Sequence, residues 1–296
     1  MTMEHVAGEP TVTLDVLHTG ITWGWYVTMN MWAKSVGTGV LLVGAYMMRR
    51  HAGSQDFYRK WMPILGFLFV QLTLLFTVLD LHQMFRFWHL FVWPHWTSAI
   101  PIGAWLLSIY TGLLVLMAFA AWKKREELFE KLLTPTVVIA FFTTIYTAAL
   151  MGQANAREIW QTPTEIAQTL LAATLAGSAA FLLAGEKGHN ERLSLAWVLG
   201  LSAAVALTIF VGELIFAPQK SEDAHYVIHE ILLRGSLGTL FTVGLSLAFG
   251  VPMVFAVLSV RRHEPVGLKL AAVCGLCGLW MVKHAWLVAP QLLPLS

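Results

Sequence analysis

The chain has 296 residues, of which 57% are hydrophobic and 12% charged, and its formal net charge is +2. An ordinary soluble domain carries roughly twice that share of charge, so a solvated globular enzyme is excluded, and so is a disordered chain. The small net charge leaves no basic face for nucleic acid, and two cysteines supply neither a disulfide framework nor the ligands of an iron–sulfur cluster.

Residues 1–20 have neither a basic start nor an apolar core, so they read as an N-terminal segment outside the membrane rather than a cleavable signal. Eight apolar runs follow, at 21–48, 61–82, 97–122, 134–152, 165–185, 194–216, 231–259 and 267–289. A spanning helix needs about 20 mainly apolar residues. The runs are too long, and too rich in Leu, Ala and Gly, for barrel strands. The expected fold is all-α, a polytopic bundle of eight transmembrane helices forming one domain over residues 21–296. Thirteen Trp and 17 Phe suit an interfacial belt.

Positive charge orients the bundle. The odd-numbered loops and their flanks hold 13 of the 19 Lys and Arg, including Arg49, Arg50, Lys123, Lys124, Arg261 and Arg262. The even-numbered loops hold Arg86, Arg157, Lys220 and Arg234. The odd loops are therefore expected in the cytoplasm and both termini outside.

A charge inside a span costs several kcal/mol unless it is paired or wetted. Lys34, Asp80, Glu213 and Lys283 fall inside spans, with Asn30 and Gln71 as polar companions. Asp80 and His82 end the second run, Glu213 nears the end of the sixth, and Lys283 and His284 near the end of the eighth. Asn30 and Lys34 are one turn apart and share a helix face. All lie toward the outer side, as do most of the 11 histidines. The inner halves are expected to be nearly free of ionisable groups. Snorkelling and small interhelical pairs explain single cases; they explain the joint clustering less well. Cys274 and Cys277 read as small packing residues.

Residues 80–97, DLHQMFRFWHLFVWPHWT, are expected to form an aromatic interfacial helix broken at Pro94. Two readings stay open: a plain aromatic belt, or a lining for a flat amphipathic ligand together with a docking face.

Here a family resemblance enters. LDLHQMFRFWHLF followed by TSAIPIGAWLLSIY resembles the NrfD-like family, the membrane subunits of polysulfide reductase and its relatives. Asp80, Leu81, Arg86, Phe87, Trp88, His89, Thr97, Ser98, Gly103, Ala104 and Trp105 match its pattern. His82, Gln83 and Met84 replace a Gly-Arg-Pro, and Ala99 replaces a Pro. Tyr146 to Pro163 resembles a further family stretch. WGWYVTMNMWAKSVGTGVLL resembles the first helix, with Gly37 and Gly39 for close packing.

The resemblance implies a quinone-reactive membrane anchor in a bacterial or archaeal cytoplasmic membrane. Its quinone is ubiquinone or menaquinone, and it holds no haem, cluster or metal of its own. It implies an iron–sulfur subunit docked on the extracytoplasmic face, wired to a catalytic subunit that is often a molybdopterin enzyme. On that reading Asn30 and Tyr146 are carbonyl partners. His82 exchanges a proton near neutral pH, and Asp80 relays it while Lys34 or Arg86 pairs with Asp80. Arg157, Glu213 and Lys283 line the pocket or the partner interface, and Trp88 stacks on the ring or anchors the loop. Plain structural roles stay open beside these, a bend-fixing salt bridge to Arg86 for Asp80 and an interhelical hydrogen bond for Tyr146. Two rival functions are a haem-b quinol oxidoreductase subunit, which needs histidines facing a common cavity, and an ion- or proton-translocating transporter.

Overall fold

The computed structural model describes residues 20–81, 83–154 and 157–293. Among these the regular structure is helical throughout. The long helices are α1 (Trp25–Arg50), α2 (Gln55–Asp80), α4 (Ala99–Trp122), α5 (Glu126–Gly152), α6 (Thr162–Ala184), α7 (His189–Phe216) and α11 (Leu268–Val288). Between α7 and α11 run the short α8 (Glu222–Tyr226), α9 (Gly238–Leu245) and α10 (Val251–Arg262). A single turn, α3 (His89–Val92), lies between α2 and α4.

Seven helical stretches among the described residues are long and apolar enough to cross a membrane, which makes this a polytopic all-α membrane protein. The remaining long helix, α1, has 26 residues and so reaches about 39 Å at 1.5 Å per residue, but it is more polar. Its surroundings explain why that is tolerated. α1 packs against α2, α5, α6 and α11, and Thr28, Lys34, Ser35 and Thr38 are all buried. A helix that meets protein on several sides needs no continuous apolar surface for lipid. The outer helices show the opposite pattern: Leu68, Leu75, Leu116, Phe142 and Leu201 are exposed, as expected where hydrocarbon is the solvent.

The tightest helix crossing joins α1 to α6. A Cβ on Gly39 would meet the Ala173 carbonyl oxygen at 1.9 Å, and one on Gly177 would meet the Gly39 carbonyl carbon at 2.3 Å. Small residues let the two backbones touch, the usual way helices associate in lipid. α6 stops at Gly185, whose φ of +92° is a left-handed conformation that L side chains rarely adopt.

Two expectations need correction. The segment 80–97 is not one interfacial helix but a 3-10 turn at Met84–Arg86 followed by α3. Its aromatic side chains resist helix on rotamer grounds, and Pro94 cuts it off. The run 231–259 is also not one helix. A π-helix at Val227–Leu233 continues α8, the chain turns at Gly235 and Ser236, and a second π-helix at Ser246–Gly250 sits between α9 and α10. Pro252 has no N–H to give an α-helical bond, and the wider turn just before it fits that gap. At the end of the bundle opposite the 80–97 segment, between the apolar runs, lies a second set of buried polar groups. Glu186 and Tyr58 are buried there, Ser54 donates to Glu191 at 2.6 Å, and His51 Nε2 lies 2.8 Å from Ser194 Oγ.

A side chain placed in the α1–α6 crossing must push backbone apart. Gly39→Leu is expected to cost at least ~1–3 kcal/mol of stability, read as a lower unfolding temperature in detergent. Gly212→Ala, with open space around its Cβ, should leave that temperature unchanged or raise it.

Candidate functional site

A cleft of about 400 Å³ opens between α1, α2, α4 and α5 and is closed from the side by the 84–92 segment. Its walls are mainly apolar, with Leu74, Phe76, Leu90, Phe91 and Leu107 among them. The rim residues Ile100 and Ser108 are exposed on α4, on the surface that faces lipid. Asn30, Thr77, Asp80, Ser108, Tyr146 and Thr147 are the polar residues that line it. Three of the residues marked out by sequence therefore meet in one place, brought from α1, α2 and α5.

Local packing fixes their aim. The Asn30 amide nitrogen donates to the Thr73 carbonyl at 3.2 Å and to Thr77 Oγ1 at 2.5 Å. Thr77 spends its own proton on the Thr73 carbonyl, so both amide hydrogens of Asn30 are engaged and its remaining capacity is to accept. The Tyr146 ring fits because position 103 on α4 is glycine; a Cβ there would lie 2.3 Å from Tyr146 Cε2. Gln153 ties the start of α4 to the end of α5, accepting from Ala99 N at 3.3 Å and donating to the Thr97 carbonyl at 3.1 Å. Phe91 meets Trp105 edge-on at 5.6 Å, which seats α3 on α4.

Lys34 is 2% exposed, and its Nζ lies 4.2 Å from the centre of the Tyr146 ring. That nitrogen has no hydrogen-bond partner, so it is not hydrogen-bonded to Asp80 as the sequence led one to expect. A desolvated cation–π contact is worth about 2 kcal/mol, less than the several kcal/mol that burying a charge costs. The position is therefore expensive for a group that only fills space.

Other marked residues lie elsewhere. Arg86 and Trp88 are exposed on the segment between α2 and α4, with Trp88 against His89 and Trp93, and neither lines the cleft. Arg157 borders a shallow surface depression with Lys220 and donates to the Leu293 carbonyl at 3.1 Å. His82 lies outside the described residues. Lys283 lines a second, small cavity of about 30 Å³ together with Glu165 and Gln168, and Glu213 is buried near the end of α7.

Sequence reasoning missed Glu165 and Thr147. Glu165 stands in the first turn of α6, where an acid ordinarily offsets the helix dipole in water. Here it is 5% exposed and accepts from Trp286 Nε1 at 2.8 Å. Only its position at the very edge of an apolar run could have flagged it. Thr147, buried with an unpartnered hydroxyl beside Tyr146, carries no distinguishing signal in sequence.

Residues 16–294 match a family described as polysulphide reductase, NrfD. The chain is also similar to one of the subunits of the tetrathionate reductase of Salmonella typhimurium (strain LT2). The two are 26% identical over 228 residues, which is 73% of this chain and 64% of that protein. The chain thus spans less than two thirds of that relative's length.

Replacing the buried Lys34 ammonium by an apolar side chain of similar length tests whether it is there for stability. Lys34→Met is expected to raise the unfolding free energy by about 1 kcal/mol or more, measured in detergent. A loss of stability would show that the ammonium supports the fold.

Proposed function

Because the chain belongs to the polysulphide reductase NrfD family, we propose that it is the quinone-reactive membrane anchor of a multi-subunit respiratory oxidoreductase. In this role it exchanges electrons between the quinone pool and a docked iron–sulfur subunit, which serves a catalytic subunit of the molybdopterin class. The terminal substrate belongs to that catalytic subunit, and the complex sits in the cytoplasmic membrane of a bacterium or archaeon. The observation that carries the reading is the cleft itself.

A quinone needs a flat apolar slot, polar partners for both ring oxygens, and access from lipid. The cleft volume of about 400 Å³ lies within the range of about 300–1,000 Å³ usual for small-molecule sites. Tyr146 and Thr147 offer hydroxyl donors for a carbonyl, and Asn30 Oδ1 offers an acceptor. An acceptor suits the hydroxyl of the reduced ring, so the two sides of the slot favour different redox forms. Asp80, at the outer end of α2, lines the cleft where a proton can leave it.

The 84–96 segment supports the docking half of the proposal. Phe87, Leu90 and Phe91 line the cleft, while Phe85 is 91% exposed and Trp93 and Trp96 are also exposed. A partner seated on the outer aromatic face would sit one side chain away from the ring. On this reading the iron–sulfur subunit docks on the extracytoplasmic face, in line with the Lys and Arg bias toward the odd loops.

Asp80→Asn keeps the shape of the cleft and removes the charge. In the assembled complex it should lower quinol-linked turnover by roughly tenfold or more with subunit composition unchanged. Ser108→Trp should raise the apparent KM for quinone by narrowing the rim, with little change in kcat. Normal turnover in the first and a normal KM in the second would refute the assignment of this cleft.

A further inference from the structure

Beside the cleft lies the small cavity that Glu165, Gln168 and Lys283 share with Met31, Phe210 and Trp286. At about 30 Å³ it exceeds the ~10–15 Å³ a water needs, and it offers that water the two to four polar partners it requires. The two spaces have a common wall, since Met31 of α1 lines both. One turn along α1, Lys34 lines neither space but relates to both: its Nζ lies over the Tyr146 ring of the cleft wall, and its charge and that of Lys283 in the cavity oppose one another. Lys283 in turn interacts with Glu165, and Glu165 with Glu213 on α7. Two of these groups are conspicuously unsatisfied. Lys34 Nζ and Glu213 Oε2 are buried with no hydrogen-bond partner.

We propose that Glu165 and Lys283 form an enclosed proton-exchange site that serves the quinone cleft through Lys34. The proposal rests on the quinone reading of the cleft and adds a second, internal proton route to the one at Asp80. Oxidation of one quinol releases two electrons and two protons. The electrons go to the iron–sulfur cluster of the docked subunit. One proton leaves at Asp80. For the other, the Glu165 carboxylate takes a proton from the Lys283 ammonium, Lys283 takes one from the Lys34 ammonium, and the second O–H bond breaks toward the amine so left at Lys34, which leaves Glu165 as the protonated acid and both lysines as ammonium. In the reducing direction the same groups return it. The groups facing Glu165 among the described residues are Lys283 and the Trp286 N–H on α11 and Glu213 on α7; α5 contributes only Met151 to the cavity.

Glu165 and Lys283 touch no ring in this scheme, so they are positioning and relay residues, and the test must separate relay from packing. Infrared difference spectra of the purified complex, stripped of quinone and titrated in pH, should contain a carboxylic-acid C=O band. That band should vanish in Glu165→Gln, shift in Lys283→Met and persist in Asp80→Asn. With quinone restored, Glu165→Gln should lower kcat by roughly tenfold or more, hold KM within about twofold and remove one limb of the pH profile. Glu165→Asp should restore part of the rate. If Glu165→Gln does not assemble, Lys283→Met provides the same two readouts in an assembled complex. A band indifferent to Glu165, or an unchanged pH profile, overturns the proposal. A wild-type complex that binds no quinone overturns the cleft reading instead, and the infrared titration still decides whether Glu165 exchanges a proton.

Discussion

Gly39 and Gly177 bring the backbones of α1 and α6 into direct contact, and much else depends on that contact. In lipid, no hydrophobic force gathers helices, so close van der Waals packing must do it. Bringing α1 against α6 wraps the most polar of the long helices in protein. Asn30, Lys34, Ser35 and Thr38 could not face hydrocarbon. Inside the bundle, Ser35 and Thr38 return hydrogen bonds to their own helix, Asn30 turns to α2, and Lys34 is left for other work.

The arrangement separates two kinds of surface within one small space. The rim of the cleft, built from α4 and the end of α2, faces lipid and is apolar but for Ser108 and Asp80. The deep wall, built from α1 and α5, carries the Tyr146 and Thr147 hydroxyls and the Asn30 amide, with the Lys34 nitrogen over the Tyr146 ring. An amphipathic ring entering sideways would meet apolar contacts first and polar ones last. The aromatic segment after α2 contributes to both sides of this boundary, with one face in the cleft and the other bare. Such an exposed apolar face is costly in water and marks a place where a partner or the membrane interface covers it.

Much of this was legible in the sequence, because hydropathy reports the solvent around each helix. The third apolar run was expected at 97–122 and is found as α4, Ala99–Trp122. Where helices outlast the membrane the pattern falls short. α5 starts at Glu126, eight residues before its apolar run, because Glu126, Glu127, Glu130 and Lys131 form helix in water. The π-helices had no hydropathy signal at all, since they change the hydrogen-bond register without changing composition. Asn30, Asp80 and Tyr146 stood out and share the cleft. Glu165 did not, because its burial is created by Trp286 and Lys283, more than a hundred residues away in sequence. Lys34 stood out for the right physical reason, its cost, but its partner is an aromatic ring rather than the carboxylate that charge alone suggested.

The central claim is that a quinone ring occupies the space between α1, α2, α4 and α5. A photoreactive azidoquinone, cross-linked in the assembled complex and mapped by mass spectrometry, tests this most directly. The account predicts labelling on peptides carrying Asn30, Phe87–Phe91 and Tyr146–Leu150, competed away by natural quinone. Labelling confined to the opposite end of the bundle, near Tyr58 and Glu186, or to other subunits would contradict it.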